Sequence, residues 1–298
     1  MKTRRRKNSK RITRRKNKRK FRGGALESMP QLCFGTAQYN VEKRLEQALR
    51  IGYRHIDGAD AYSSPDYFAS FRRVLEKVSS EAEESPIKRE ELWITWKGEP
   101  KSIDEIRKNI TDLNCGYIDL YLIHGWRKQW PMMDTMMAIL RQAKDEGLIR
   151  YYGVSNCENI GDIRRLKSKY DIYANQIQAR PPSGKIAKRP DMDPEFIEEC
   201  NSLKIKIMLF ATISGYLGRT VLNPEIISEI NKYYLQKYIK DKEKGNVLMV
   251  SSVLGSSLQT NYDNFKIIES GVKPLSDGQM TEIEAELKKS KLQWMGRG

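Results

Sequence analysis

Four side chains of this sequence, Asp57, Tyr62, Lys97 and His124, have the types and spacing of a device for handing a proton to an oxygen. A tyrosine, with an ordinary pKa of about 10, is protonated at neutral pH but releases its proton reluctantly. A lysine cation nearby favours the phenolate and eases that release. A carboxylate beside the lysine keeps the ammonium placed and its charge compensated. An imidazole can orient the accepting oxygen or help relay the proton. Hydride addition to a carbonyl carbon needs such a donor for the carbonyl oxygen. Singly, each group has an ordinary reading: Tyr62 a loop tyrosine, Lys97 a solvated strand-end charge, Asp57 a cap for the following turn. His55 stands two residues before Asp57, has no partner residue pointing to it, and reads as structural.

The elements that carry these residues alternate. Eight short β-rich runs occur in order: QLCFGT, RHIDGA, LWITWK, IDLYLIH, YYGVS, ANQIQ, KIMLFA and VLMVSS. Stretches of helical spacing separate them, among them VEKRLEQALRIG, DYFASFRRVLEKVSS, SIDEIRKNITDLN, MMDTMMAILRQAKDEG, NIGDIRRLKSKY and PEFIEECNSLK. Two more helical stretches, PEIISEINKYYLQKYIKD and SDGQMTEIEAELKKS, flank the last strand. Strands alternating with helices imply a parallel sheet, and eight such units imply closure into a (β/α)8 TIM barrel. Ser102, with Glu105 three residues on, reads as a capping box, and Gly147 as a helix C-terminal glycine. Active sites of such barrels lie at the C-terminal ends of the strands. Asp57 ends the second run, Lys97 the third, His124 the fourth, Ser155 and Asn156 the fifth, and Gln176 lies in the short sixth. Ionisable or amide groups delivered to one rim by consecutive strands form a constellation rather than a scatter.

The 298 residues carry a net charge of +16, and fourteen Lys or Arg with no acid lie in residues 1–24. That leaves about +2 for residues 25–298, the expected barrel. The segment MKTRRRKNSKRITRRKNKRKFRGG has almost nothing apolar with which to offset its ordering entropy, so it reads as a disordered tail. It lacks the apolar region of a secretory signal. It reads either as a solvated charged arm or as an address for nucleic acid or another polyanion, with nuclear or virion association added to a cytoplasmic protein. Its composition resembles the N-termini of some proteins of large DNA viruses. No run is long and apolar enough for a membrane span. Four scattered cysteines and two histidines give no zinc-ligand spacing, so no metal site is expected and the chain reads as intracellular.

With these residues in hand, the chain resembles the aldo/keto reductases. GYRHIDGADAY is similar to the segment in which that family spaces Asp57 and Tyr62; LWITWK carries its strand-end lysine, Lys97, and YIDLYLIH its histidine, His124. GLIRYYGVSN and NQIQ match the positions, Ser155, Asn156 and Gln176, that hold the nicotinamide carboxamide in the family. The resemblance runs from about Met29 to Asn264. It implies an NADPH-dependent reductase of aldehydes or ketones, with Tyr62 the general acid, Lys97 its tuner, Asp57 the lysine's partner and His124 the orienting group. It also implies an aromatic under the nicotinamide, with Phe210 the first candidate and Tyr216 the second, against plain core packing for both. LGSSLQTNYDNF resembles the family's phosphate loop, with Gly255 and Ser256 at the pyrophosphate and Asn264 at the adenine. The sequence departs from the pattern in that loop. Gly255 and Thr260 stand where NADPH-preferring members have Lys and Arg, so NADH is an alternative cofactor. Smaller departures are Gly58 in place of the usual Thr, and Trp96 and Trp126, two bulky rings that would narrow the pocket mouth. Two other readings stay open: a catalytically weak nucleotide-binding regulatory barrel, and a barrel targeted to nucleic acid by its tail.

Overall fold

Each β-rich run is followed by an amphipathic stretch, and the chain coils accordingly. The structure, a computed structural model, describes residues 28–37, 40–62, 66–126, 130–178, 194–210, 247–251 and 258–269, with a few positions near 276–282. Eight strands, β1 (Leu32–Gly35), β2 (His55–Ala59), β3 (Trp93–Gly98), β4 (Ile118–Ile123), β5 (Ile149–Ser155), β6 (Ala174–Gln178), β7 (Lys206–Phe210) and β8 (Val247–Ser251), close into a barrel in chain order. Every neighbouring pair is parallel, including β8 with β1. The described helices are α1 (Val41–Ile51), α2 (Tyr67–Val78), α3 (Ile103–Leu113), α4 (Met133–Asp145), α5 (Ile160–Tyr170), α6 (Pro194–Ser202) and α7 (Leu258–Glu269). The architecture is the (β/α)8 barrel that the alternation implied. The basic segment 1–24 and the helical stretch 224–241 lie outside the described residues, as does most of 276–290.

Two apolar layers follow from the strand period of two. Leu32, Phe34, Ile56, Ile94, Trp96, Tyr121, Ile123 and Val154 pack outward against the helices. Cys33, Trp93, Leu120, Leu122, Ala174 and Met208 fill the interior. Helix ends behave as their residues dictate, with one amendment. Ser102 Oγ accepts from Glu105 N at 3.4 Å, but the Glu105 carboxylate accepts from Lys101 N rather than from Ser102, so only half of the expected capping box forms. Gly147 follows α4 at φ 73°, a conformation glycine adopts without strain. Among the described residues no helix is long and apolar enough to cross a membrane, and no cluster of His, Cys, Asp and Glu could hold a metal.

His55 is an interior residue with no exposure. Its Nδ1 donates to the Pro30 carbonyl at 3.0 Å, and its Nε2 meets Thr95 Oγ1 at 2.8 Å. Burial pulls its pKa from 6.5 down to about 4, so the native protein holds it neutral where an unfolded chain would charge it. Stability is therefore complete above about pH 6.5 and falls as pH drops from there towards 4, by on the order of 3 kcal/mol at the lower end. Unfolding free energies measured across that range should slope in the wild type and flatten in His55→Asn. Equal slopes in both would show that His55 is not the group responsible.

Candidate active site

Alternation in β2 and β3 turns Ile56 and Trp96 towards the helices, and so turns Asp57 and Lys97 inward. The Lys97 ammonium hydrogen-bonds Asp57 Oδ2, with both side chains almost wholly buried. From across the barrel, Gln176 Nε2 donates to Asp57 Oδ1 at 3.0 Å. The backbone carbonyl of Asp57 accepts from Thr36 N at 3.0 Å and from Thr36 Oγ1 at 2.7 Å, and the Tyr67 hydroxyl bonds Thr36 Oγ1 in turn. The carboxylate is thus held at its backbone and at both oxygens.

Tyr62 sits on the turn after β2, its N–H donating to Ala59 O at 3.2 Å. Lys97 Nζ lies 5.1 Å from the centre of its ring and is close enough to the hydroxyl to hydrogen-bond it. The Tyr62 ring meets Tyr67 edge-on at 5.9 Å and His124 edge-on at 6.2 Å. His124 follows β4, fixed by its N–H to Gly98 O at 3.2 Å. Phenol, ammonium, carboxylate and imidazole therefore converge at the C-terminal ends of three adjacent strands.

Electrostatics at this rim amend the sequence expectation. Burial raises the Tyr62 pKa above its ordinary value, and the nearby Lys97 cation only partly offsets that rise. The lysine was expected to lower the tyrosine's pKa; its influence has that sign, but desolvation of the phenolate is larger. Lys97 itself is pushed down by burial, but Asp57 and Tyr62 more than reverse this, so it stays charged. Burial, then the Lys97 charge, lowers the pKa of His124, so its imidazole is neutral at pH 7.

Ser155, Asn156 and Gln176 form one connected group beside these four. Ser155 Oγ and Asn156 N donate to the Gln176 carbonyl at 3.1 and 2.7 Å. Asn156 adopts φ 68°, a left-handed conformation that asparagine tolerates better than most residues. Its Nδ2 donates to the His124 carbonyl at 3.2 Å and to Ser155 Oγ at 3.1 Å. A hydrogen-bonded chain consequently runs from His124 through Asn156, Ser155 and Gln176 to Asp57, Lys97 and Tyr62. A hydroxyl and two primary amides at adjacent strand ends offer the donors and acceptors that a carboxamide needs. Phe210 ends β7, half-buried against the interior cluster, level with Gln178 in the neighbouring strand. Gly255, Ser256 and Tyr216 lie outside the described residues. Asn264 falls in α7, and its side chain lies outside them.

Several contributors carried no sequence signal strong enough to name them. Thr36 and Tyr67 act through hydrogen bonds and packing rather than through a motif. The carboxylate of Asp60, held above the ordinary range by burial, accepts from Trp96 Nε1 at 2.6 Å and Asn109 Nδ2 at 2.9 Å, tying the end of β2 to β3 and α3. Trp96 does not narrow the pocket mouth as expected. It points away from the interior, among Tyr67, Phe68 and Phe71. Trp126 is also buried, and its Nε1 donates to the Asn156 carbonyl at 2.9 Å.

The outward Trp96 accounts for Gly58. The two residues are paired in register, and a Cβ on Gly58 would overlap the Trp96 ring and come within 2.8 Å of the Tyr67 hydroxyl. Gly58→Ala should therefore cost about 1–3 kcal/mol through overpacking, read by denaturant unfolding. Gly58→Ala combined with Trp96→Leu should recover part of that loss. A neutral single variant would mean that the ring moves aside freely.

Comparison with known proteins agrees with this geometry. The profile of the aldo/keto reductase family matches residues 31–232. The chain is 29% identical over 267 residues to a 9,11-endoperoxide prostaglandin H2 reductase of Trypanosoma cruzi (strain CL Brener), spanning 84% of this chain and 87% of that protein. Its fold is similar to that of aldose reductase from Giardia lamblia, with a TM-score of 0.67, 22% identity, and 90% and 96% of the two chains covered. It is similar also to a Bombyx mori aldo-keto reductase solved in complex with NADP, with a TM-score of 0.62, 21% identity, and 88% and 90% covered. An eight-stranded barrel that brings Asp57, Tyr62, Lys97 and His124 to one rim, in a sequence matched by that profile over two thirds of its length, is an oxidoreductase belonging to the aldo/keto reductase family.

Proposed function

We propose that the chain reduces aldehydes or ketones to alcohols, with NADPH as the first cofactor and NADH as the alternative, and with Tyr62 as general acid. The bound nicotinamide would supply the hydride. Tyr62 holds a proton through neutral pH and gives it to the carbonyl oxygen as negative charge develops there. The Lys97 cation stabilises the resulting phenolate, Asp57 keeps the ammonium in place, and neutral His124 orients the substrate oxygen by hydrogen bonding. Ser155, Asn156 and Gln176 would hold the carboxamide, with Phe210 at the ring face, Gly255 and Ser256 at the pyrophosphate and Asn264 at the adenine. Residues 25–298 would form the reductase, and residues 1–24 a separate basic segment. The observation that carries the reading is the buried Lys97, bonded to Asp57 and lying under the Tyr62 ring. The NADP complex of the Bombyx mori relative supports the cofactor class.

The test is titration of the purified full chain with NADPH and NADH, followed by the loss of reduced-nicotinamide absorbance with a panel of aldehydes and ketones. Turnover supports the reductase. Binding without turnover favours the regulatory barrel, and failure to bind either nucleotide would leave a reductase fold without its function.

A further inference from the structure

A general acid works only from the right place, because a displacement of about 1 Å can lower a rate about a hundredfold. Tyr62 stands beyond the last residue of β2, on a turn to which its own backbone contributes the bond from its N–H to Ala59 O. Asp60 and Ala61 alone separate it from β2, and Ala61 has no polar side chain to anchor the turn. Asp60 is held through both its backbone and its carboxylate. Its N–H donates to the Lys97 carbonyl at 2.9 Å. Its Oδ1 accepts from Trp96 Nε1 at 2.6 Å and from Asn109 Nδ2 at 2.9 Å, and its Oδ2 accepts from the Tyr121 hydroxyl at 3.5 Å. Those donors belong to buried residues of β3, α3 and β4, so one carboxylate ties the turn to three separate elements. All three are neutral, and they fix the carboxylate without adding a second cation to the rim. Gly98 leaves the space for this contact: a Cβ there would overlap both Asp60 Oδ2 and the Tyr121 hydroxyl. The carbonyl of the same glycine accepts from His124 N at 3.2 Å. The Asp60 cluster therefore underlies both the turn that carries the phenol and the strand end that carries the imidazole.

We propose that Asp60 is a positioning residue for carbonyl reduction: its carboxylate fixes the turn from Ala59 to Tyr62, and with it the place from which the Tyr62 hydroxyl delivers its proton. The inference rests on the proposed general-acid role of Tyr62 and adds what holds that donor in position. It also gives the Trp96 indole a task besides filling the space above Gly58. Hydrogen bonds to an ionised carboxylate are stronger than those between neutral groups, which suits it to holding a turn at the edge of a barrel.

The experiment compares the full-length wild type with Asp60→Ala, Asp60→Asn and Trp96→Phe, using NADPH and one aldehyde. Rates are expressed per cofactor-binding site, counted by fluorescence titration. Asp60→Ala should lower kcat by about a hundredfold, with KM and cofactor affinity nearly unchanged. Its solvent deuterium isotope effect on kcat should rise, because proton delivery becomes the slow step. Asp60→Asn keeps an oxygen for Trp96 and Asn109 and an amide that can donate to the Tyr121 oxygen, so it should recover most of the rate. Trp96→Phe removes one of the bonds and should lower kcat by less, with a smaller effect in the Asp60→Ala background. Wild-type kcat in Asp60→Ala, with Tyr62→Phe still impaired, would overturn the inference and leave the reductase reading intact. A fall in cofactor affinity and a rise in KM as large as the fall in kcat would overturn it too, since they mark general disruption of the rim. So would equal rates in Asp60→Asn and Asp60→Ala, which would assign the effect to charge. If Asp60→Ala does not fold, an unchanged kcat and isotope effect in Trp96→Phe would overturn it instead. If the wild type reduces no carbonyl, both readings fall together.

Discussion

Tyr62→Phe is expected to lower kcat for carbonyl reduction by about 10²–10⁴-fold, the usual contribution of a positioned general acid. Cofactor affinity should change little. The substitution removes one oxygen and leaves the ring in its edge contacts with Tyr67 and His124, so the rim keeps its shape. What disappears is the proton that the developing alkoxide must receive. Steady-state kinetics with a fixed aldehyde, alongside fluorescence titration of the cofactor, separate the two quantities. A tenfold loss or less would point to water or His124 as the donor. The pH dependence has a definite sign: reduction needs Tyr62 protonated, and burial raises its pKa, so the tyrosine should limit the rate only in strongly alkaline solution. A descending limb beginning near neutrality would belong to another group.

Lys97→Met carries the second large effect, on stability as well as on rate. The wild-type pair is closed off from water, and Asp57 keeps only the Gln176 amide and its backbone contacts once the ammonium is gone. Removing one partner of a buried ion pair costs about 3–5 kcal/mol, because the remaining charge is left uncompensated. Denaturant unfolding should show that loss in Lys97→Met and recover most of it in Asp57→Asn combined with Lys97→Met. Activity should stay low in both, because neither retains a cation beneath Tyr62. Recovery of stability together with activity would contradict the role given to Lys97. Full stability of the single variant would contradict the burial of the pair.

Much of this was legible in the sequence because strands and helices have different periods. Asp57 and Lys97 stood at the ends of their apolar runs, which placed them at one rim, and the order of eight such runs implied the barrel that closes through β8 and β1. His55 was separable from His124 by the lack of partners around it, and the structure holds it neutral between Pro30 and Thr95. What escaped was whatever depends on contacts between distant segments. Thr36 and Tyr67, 31 residues apart, carry no shared motif. Trp96 read as a pocket residue because bulk was visible in the sequence and its direction was not weighed; an inward Lys97 already implies an outward neighbour. The balance of forces on Tyr62 was misjudged for a similar reason, since spacing reveals a nearby lysine but not the depth at which a phenol is buried.

The Gly58–Trp96 contact constrains the routes by which this rim could have arisen. While an indole fills the space above position 58, any side chain larger than hydrogen there is opposed by its ring. A lineage starting from a β-branched residue at position 58 would reach this pair most easily by losing that side chain first, leaving a small void, and then gaining the tryptophan. The reverse order passes through an overpacked intermediate. With the indole in place and its N–H bonded to Asp60, reversion at position 58 alone is uphill, so the contact works as a ratchet. Ancestral substitutions tested one at a time should therefore depend on their order, although neither residue is itself one of the proton-handling groups.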